Sequence, residues 1–292
     1  MNWLDIRKAL HASGVMVSDK GAPRTVGGGD VSAVWQLQSS EGLIFLKTGA
    51  ADRLGMFEAE AAGLRELERT KSIRVPKVMA VTRNLKVSML ALEWLDFEAV
   101  SDNCEAQLGE RLAQLHRHTQ SRYGWFRDNS IGLNSQINNR RERWMDFFRE
   151  QRLRYKLQLA SQNGFGDALG SQGEQLLKQL DLFFIDYVPK ASLLHGDLWH
   201  GNWSCVDGEP VIFDPAVYYG DRETDLAMTK LFGGFGSGFY AAYEQSWPLD
   251  PGSARRLKLY QLYHVLNHLN LFGSSYLERT KSIMQQLRRS IA

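Results

Sequence analysis

One short polar run, followed at a fixed distance by a lone carboxylate, restricts this chain more than any other feature. The run is His195-Gly196-Asp197-Leu198-Trp199-His200-Gly201-Asn202, and twelve residues after Asn202 comes Asp214, in Val211-Ile212-Phe213-Asp214-Pro215. The residues between read as a hairpin: Trp203-Ser204-Cys205-Val206, a turn at Asp207-Gly208-Glu209-Pro210, then Val211-Ile212-Phe213. A hairpin brings its ends together, so Asn202 and Asp214 are expected side by side. An amide oxygen and a carboxylate converging there suit Mg²⁺, a hard cation that prefers oxygen ligands and keeps several waters. Asp197 is then expected close to the metal without ligating it, free to accept a proton from an attacking hydroxyl. His195 and His200 lack a helical context and a third ligand at zinc spacing, and His195 is expected to hold the loop by a hydrogen bond.

The parts such a site needs for a nucleotide occur earlier in the chain, in order. Gly27-Gly28-Gly29 lies between strand-like segments, where a backbone without Cβ atoms can approach phosphate oxygens. Lys47 ends the strand Leu43-Ile44-Phe45-Leu46-Lys47 and is placed to meet phosphates. Glu58 and Glu60 follow on a helix over residues 55–70, and Glu60 is preferred as the ion-pair partner of Lys47. Lys86 to Leu95 reads as a largely buried strand ending in Leu92-Glu93-Trp94-Leu95-Asp96. The backbone of Glu93, Trp94 and Leu95 is the natural partner of an adenine edge. Asp followed by Asn five residues on, with a metal Asp beyond, is the catalytic-loop spacing of kinases.

Before residue 95 the elements are mostly strands, and after Asp96 they are helices, over 105–118, 140–160 and 172–185. That order predicts an α+β, protein-kinase-like, two-lobed fold. Residues 1–95 form a small antiparallel-sheet lobe binding the nucleotide, and 96–292 a larger helical lobe carrying the catalytic loop, metal and substrate. The segment 140–156 is basic and aromatic. A packed helix with a solvated charged face is the preferred reading, beside a membrane-surface helix or arginines facing a cleft to bind an anion.

Composition bounds the rest. With 292 residues and 43% hydrophobic content the chain can bury a large core and is not disordered. Thirty-five Lys and Arg against 33 Asp and Glu give a net charge of +2, without the basic excess usual in nucleic-acid binding. No apolar run approaches the roughly 18 residues that span a bilayer, and the N-terminus lacks a signal-peptide core. Cys104 and Cys205 cannot make a disulfide framework, and a reducing compartment is the simplest reading. The expectation is a cytoplasmic protein, monomeric, with no nucleic-acid or membrane partner.

The loop reads His-Gly-Asp rather than His-Arg-Asp, and the metal motif Asp-Pro rather than Asp-Phe-Gly, which points to small-molecule kinases of the aminoglycoside phosphotransferase and choline kinase type. In detail the chain resembles the fructosamine kinase (ketosamine-3-kinase) family. The resemblance rests on His195–Asn202, Phe213-Asp214-Pro215-Ala216, Tyr219-Gly220-Asp221-Arg222-Glu223-Thr224-Asp225-Leu226-Ala227, Met56-Phe57-Glu58-Ala59-Glu60, Trp144-Met145-Asp146-Phe147-Phe148, and Leu262-Tyr263-His264-Val265-Leu266-Asn267. It implies ATP- and Mg²⁺-dependent phosphorylation of the 3-hydroxyl of a ketoamine, either small or carried on a glycated protein lysine. The phosphate then eliminates and the amine is regenerated. Bacterial-type members resemble one another in favouring ribulosamines and erythrulosamines over fructosamines. Asp197 would be the base, Trp199 a stacking surface for the sugar, and Asp221 and Arg222 either substrate ligands or locks on the loop. Asp225 would anchor the loop backbone, while His264 and Asn267 are expected to pack. Some members carry Cys after the three glycines, where this chain has Asp30, so no redox switch is expected in that loop. The alternatives are a kinase for another small alcohol and a nucleotide-binding pseudokinase.

Overall fold

The computed structural model describes residues 1–18, 21–27 and 32–291. Helix α1 (Trp3–Ala12) is capped by the Asn2 side chain on the Leu4 N–H. Strands β1 (Arg24–Val26), β2 (Ala33–Ser39) and β3 (Gly42–Ala50) lead to helix α2 (Leu54–Thr70), and β4 (Val78–Arg83) and β5 (Val87–Glu93) complete an antiparallel sheet of order β1-β2-β3-β5-β4. Both faces of this sheet are covered, which explains why β5 reads as a continuous apolar run. Met89 and Ala91 pack with Ile6 and Leu10 of α1, while Leu90 and Leu92 join Phe57, Leu64 and Leu67 of α2 in the larger core. That larger core runs without a break into the helical part of the chain. Gly63 of α2 lies against Val217, where an added Cβ would come within 3.1 Å of a Val217 methyl.

Helix α3 (Asp102–His116) opens the helical part, capped by Ser101. Short strands β6 (Thr119–Gln120), β7 (Asn129–Ile131) and β8 (Asn134–Gln136) follow. The helical stretch from Trp144 to Ala160 comprises α4 (Trp144–Phe147), a π-helical segment (Phe148–Arg154) and α5 (Tyr155–Ala160). Beyond come α6 (Gly166–Lys178), β9 (Ala191–Leu194), β10 (Trp203–Val206), β11 (Glu209–Ile212), β12 (Tyr218–Gly220), α7 (Glu223–Thr229), α8 (Ser237–Ser246), α9 (Ser253–Phe272) and α10 (Leu277–Ile291). The hairpin β10–β11 pairs Trp203 with Ile212, as the sequence predicts.

Two sequence expectations are corrected here. Cys104 and Cys205 are joined by a disulfide, so they give no argument for a reducing compartment. Spacing could not reveal it, because the pair meets only when α3 packs beside the β10–β11 hairpin. The basic helix is packed, but not all of its charges are solvated. Arg152 and Lys156 are fully buried and Trp144, Phe147 and Phe148 sit in the core, which leaves no apolar face for a membrane surface. The Arg152 guanidinium stacks 4.0 Å from the Tyr218 ring centre and 4.5 Å from that of Phe147, and donates to the Ile137 carbonyl and the Asn138 side chain.

Burial, then the neighbouring Arg152 charge, pushes the Lys156 amine down to about 7. The amine donates a hydrogen bond to the Ser135 carbonyl. A lysine that binds its proton more weakly folded than unfolded costs stability at and below neutral pH, and the cost fades as pH rises toward the unfolded value. Lys156→Met should therefore stabilise the protein by about 1–3 kcal/mol at pH 6.5. The gain in urea midpoint should shrink by pH 9. An equal gain at both values would place the amine in a better-solvated site than this one.

Candidate active site

Strand β9 lies between β12 and β6 and delivers His195 at its end. At Gly196 the chain turns with φ +84°, a left-handed conformation that favours glycine. An added Cβ there would stand 2.0 Å from the Ala216 carbonyl oxygen. Gly196→Ala should therefore displace Asp197 and lower kcat at least tenfold while the protein stays folded, as read from turnover and far-UV circular dichroism. Unchanged turnover would mean that the loop tolerates a shift.

The loop is held from beneath by Asp225, whose two carboxylate oxygens accept the N–H groups of His195 and Gly196, each at 2.8 Å. His116 Nε2 donates to the same carboxylate at 3.2 Å. Burial alone would raise the Asp225 carboxyl, but the hydrogen bond and charge of His116, with His195 and the Gly196 N–H, hold it below the usual range. His195 Nε2 donates to the Phe213 carbonyl and its Nδ1 accepts the Asp197 N–H, so the ring ties the base to the metal loop. Burial pushes this imidazole below its ordinary value.

The hairpin juxtaposes the two residues singled out for the metal. The Phe213 N–H donates to the Asn202 carbonyl, and Asp214 follows with a left-handed φ of 56°. Asn202 Nδ2 donates to the Asp197 carbonyl at 2.9 Å, which leaves its Oδ1 unspent. Lys47 Nζ meets Glu60 Oε1 at 2.7 Å and Asp214 Oδ1 at 2.6 Å. Despite burial, these two carboxylates raise the Lys47 amine above its ordinary value and keep it charged. Glu58 instead lies beside Arg127. Burial, then the charges of Asp214 and Asp225, push the Asp197 carboxyl up to about 7, against the Asn202 hydrogen bond. The unspent oxygens of Asn202 and the half-exposed Asp214 form a donor set that fits a hard cation.

Lys47, Glu60, Asp197, Asn202 and Asp214 open into one cleft. Gly27, Val34, Phe45 and Lys47 line it from the sheet, Glu60 from α2, and Asp197, Trp199, Asn202 and Asp214 from the catalytic segment. The Trp199 indole is partly exposed and lies over Gly201, where an added Cβ would come within 2.4 Å of the ring. Gly28 and Gly29 lie outside the described residues. Glu93, the last residue of β5, and Trp94 and Leu95 beyond it lie outside this lining, with the Trp94 ring 6.3 Å from that of Phe45. The Glu93 N–H is taken by the Lys77 carbonyl.

Asp221 and Arg222 do not reach the cleft, which corrects their reading as substrate ligands. Asp221 is fully buried and accepts from Tyr187, Tyr260 and the Glu223 N–H. Arg222 donates to the carbonyls of Trp247 and Pro248 and to the Tyr243 hydroxyl, which in turn meets His116. Arg222, Tyr243, His116 and Asp225 thus form a chain ending on the loop backbone. Of the two residues for which the sequence left a locking role open, Arg222 lies in this chain and Asp221 does not. Sequence reasoning also missed the β7–β8 hairpin, which contributes Asn129, Ser130 and Gly132 to the cleft. Its strands are three residues long and polar, and no periodicity marks them.

Comparison with known proteins places this geometry. A model of the fructosamine kinase family matches residues 3–290. A "Probable ketoamine kinase" of Synechocystis sp. is 41% identical over 268 residues, covering 91% of this chain and 90% of the relative. A chloroplastic protein-ribulosamine 3-kinase of Oryza sativa is 39% identical over 272 residues, covering 91% and 79%. The solved structure of a "Putative fructosamine-3-kinase" from Haemophilus somnus superposes with a TM-score of 0.88 at 29% identity, covering 98% of this chain and 97% of that one. An aminoglycoside phosphotransferase in complex with ADP and hygromycin B, at 13% identity and a TM-score of 0.67, covering 94% and 96%, shares the fold.

Proposed function

The chain belongs to the fructosamine kinase family and is a phosphotransferase acting on an alcohol group, and from that premise we propose that it transfers the γ-phosphate of ATP to the 3-hydroxyl of a ribulosamine- or erythrulosamine-type ketoamine, free or on a glycated protein lysine. Fructosamines are poorer acceptors. The observation that carries this reading is the convergence of Lys47, Glu60, Asp197, Asn202 and Asp214 in one cleft.

Each residue has one task. Asp197 accepts the proton of the 3-hydroxyl as its oxygen attacks the γ-phosphorus and ADP leaves. A carboxyl displaced upward by burial and neighbouring charge suits that task, because its basicity exceeds that of a solvated aspartate. Lys47, kept charged by Glu60 and Asp214, faces the phosphates. Asn202 and Asp214 would hold Mg²⁺, which when bound neutralises charge on the transferring phosphate. Trp199 offers a flat apolar face to the sugar carbons. Gly27, which lines the cleft, is assigned to the phosphates, and the backbone of Glu93, Trp94 and Leu95 to the adenine. Among the described residues no helix is long and apolar enough to cross a membrane.

An acceptor panel tests the reading. ATP consumption is measured with ribulosyl-, erythrulosyl- and fructosyl-lysine, an aminoglycoside and choline. Preferential turnover of the two shorter ketoamines is expected. Turnover of only the aminoglycoside or choline would establish a kinase of another alcohol. Tight nucleotide binding without transfer to any acceptor would establish a pseudokinase.

A further inference from the structure

The cleft that holds Asp197 and Trp199 is also lined by Asn129, Ser130 and Gly132 of the β7–β8 hairpin. Along β7, Asn129 and Ile131 are buried and Ser130 is not, so alternation turns Ser130 to the face opposite the core. Asn129 spends its amide oxygen and one of its two amide hydrogens within the protein. Its Nδ2 donates to the Val217 carbonyl, and its Oδ1 accepts from Gln136 and Asn138. The Ser130 hydroxyl has no hydrogen-bond partner among the described residues, although it lines the cleft.

The hairpin that carries Ser130 is fixed in place from two sides. Gln136 Nε2 donates to the Ala216 carbonyl, two residues beyond Asp214, and its Oε1 accepts the Tyr263 hydroxyl. On α9, Asn267 donates to the Ile131 carbonyl and accepts from Asn134, and Leu271 packs under Gly132, where an added Cβ would meet it at 2.8 Å. Tyr263 and Asn267, prominent in the sequence but without a role in the chemistry, are thus spent on positioning this hairpin. The result is a hydroxyl on the cleft wall, carried by a hairpin held in register with the backbone of the metal loop.

We infer that Ser130 is a specificity-determining residue, hydrogen-bonding a hydroxyl of the open-chain sugar so that the neighbouring 3-hydroxyl is presented to Asp197. The inference rests on the proposed function and names a polyhydroxylated acceptor for the same cleft. It gives a use to an unpartnered hydroxyl in the cleft that also holds Asp197 and Trp199. A flat aromatic surface orients the sugar chain without fixing its register along that chain, and one directional hydrogen bond supplies the register.

The test compares wild type with Ser130→Ala and Ser130→Thr, using ribulosyl-lysine and ATP. Loss of one hydrogen bond to a neutral hydroxyl should raise the acceptor KM roughly 5- to 15-fold in Ser130→Ala. The KM for ATP should stay unchanged, and Ser130→Thr should recover most of the loss. A structural role for Ser130 would instead lower the urea midpoint or move both KM values together, and either result overturns the inference. A wild type active on ketoamines and matched by Ser130→Ala in acceptor KM overturns this inference alone. A wild type inert toward every ketoamine overturns the proposed function and this inference together.

Discussion

Asp197→Asn should fold normally, bind ATP as well as wild type and lose about 100- to 10,000-fold in kcat. Asparagine matches the shape of aspartate and still accepts the Asn202 amide hydrogen bond, but it cannot take up a hydroxyl proton. The variant should be at least as stable as wild type, because the folded environment disfavours the Asp197 charge through burial and through Asp214 and Asp225. This separates a catalytic effect from a folding effect. The measurements are single-turnover phosphoryl transfer, the ATP dissociation constant and the urea midpoint. Full activity in this variant would remove Asp197 from the role of base.

Asp225→Ala should have the largest effect on stability, about 3–5 kcal/mol. Asp225 makes no contact with the cleft, yet its carboxylate is the acceptor for the backbone N–H groups of His195 and Gly196 and for the His116 ring. All of these groups are buried, and removing their common acceptor leaves each donor desolvated and unpaired. Asp225→Asn should lie between alanine and wild type, since one amide oxygen remains while the new NH₂ opposes an N–H. Both variants should also lose kcat, because the loop that aims Asp197 is no longer held. Urea midpoints with turnover assays read both effects. A midpoint for Asp225→Ala close to that of wild type would show that the loop is held by other contacts.

The sequence was most legible where local chemistry and chain order coincide. The β10–β11 hairpin announces itself through Asp207-Gly208, both in left-handed backbone at the turn, and its closure places Asn202 beside Asp214. Lys47 and Glu60 are found through their order along the chain, a strand lysine followed by a helix glutamate, and they sit on well-formed elements facing one another. Less could be read wherever partners lie far apart in sequence. Asp221 and Arg222 belong to a conspicuous polar cluster, and a buried carboxylate paired to two tyrosines looks the same in sequence as one awaiting a substrate. Tyr187 and Tyr260, which satisfy it, lie 34 and 39 positions away. The β7–β8 hairpin depends on α9, whose Asn267 is 133 residues from Asn134. The disulfide spans 101 positions. In each case tertiary packing, not local propensity, decides what the residue does.

The central claim is that this cleft phosphorylates a ketoamine on its 3-hydroxyl. The most direct measurement incubates the protein with ATP, Mg²⁺ and a peptide carrying ribulosyl-lysine, and follows the peptide by mass spectrometry and phosphorus NMR. The account predicts a transient phosphopeptide with phosphate on the third sugar carbon, followed by elimination of inorganic phosphate, hydrolytic release of the remaining sugar carbons and recovery of unmodified lysine. Asp197→Asn should produce neither species at a comparable rate. A phosphate found on another hydroxyl, or a peptide unchanged while ATP is consumed against a different alcohol, would contradict it.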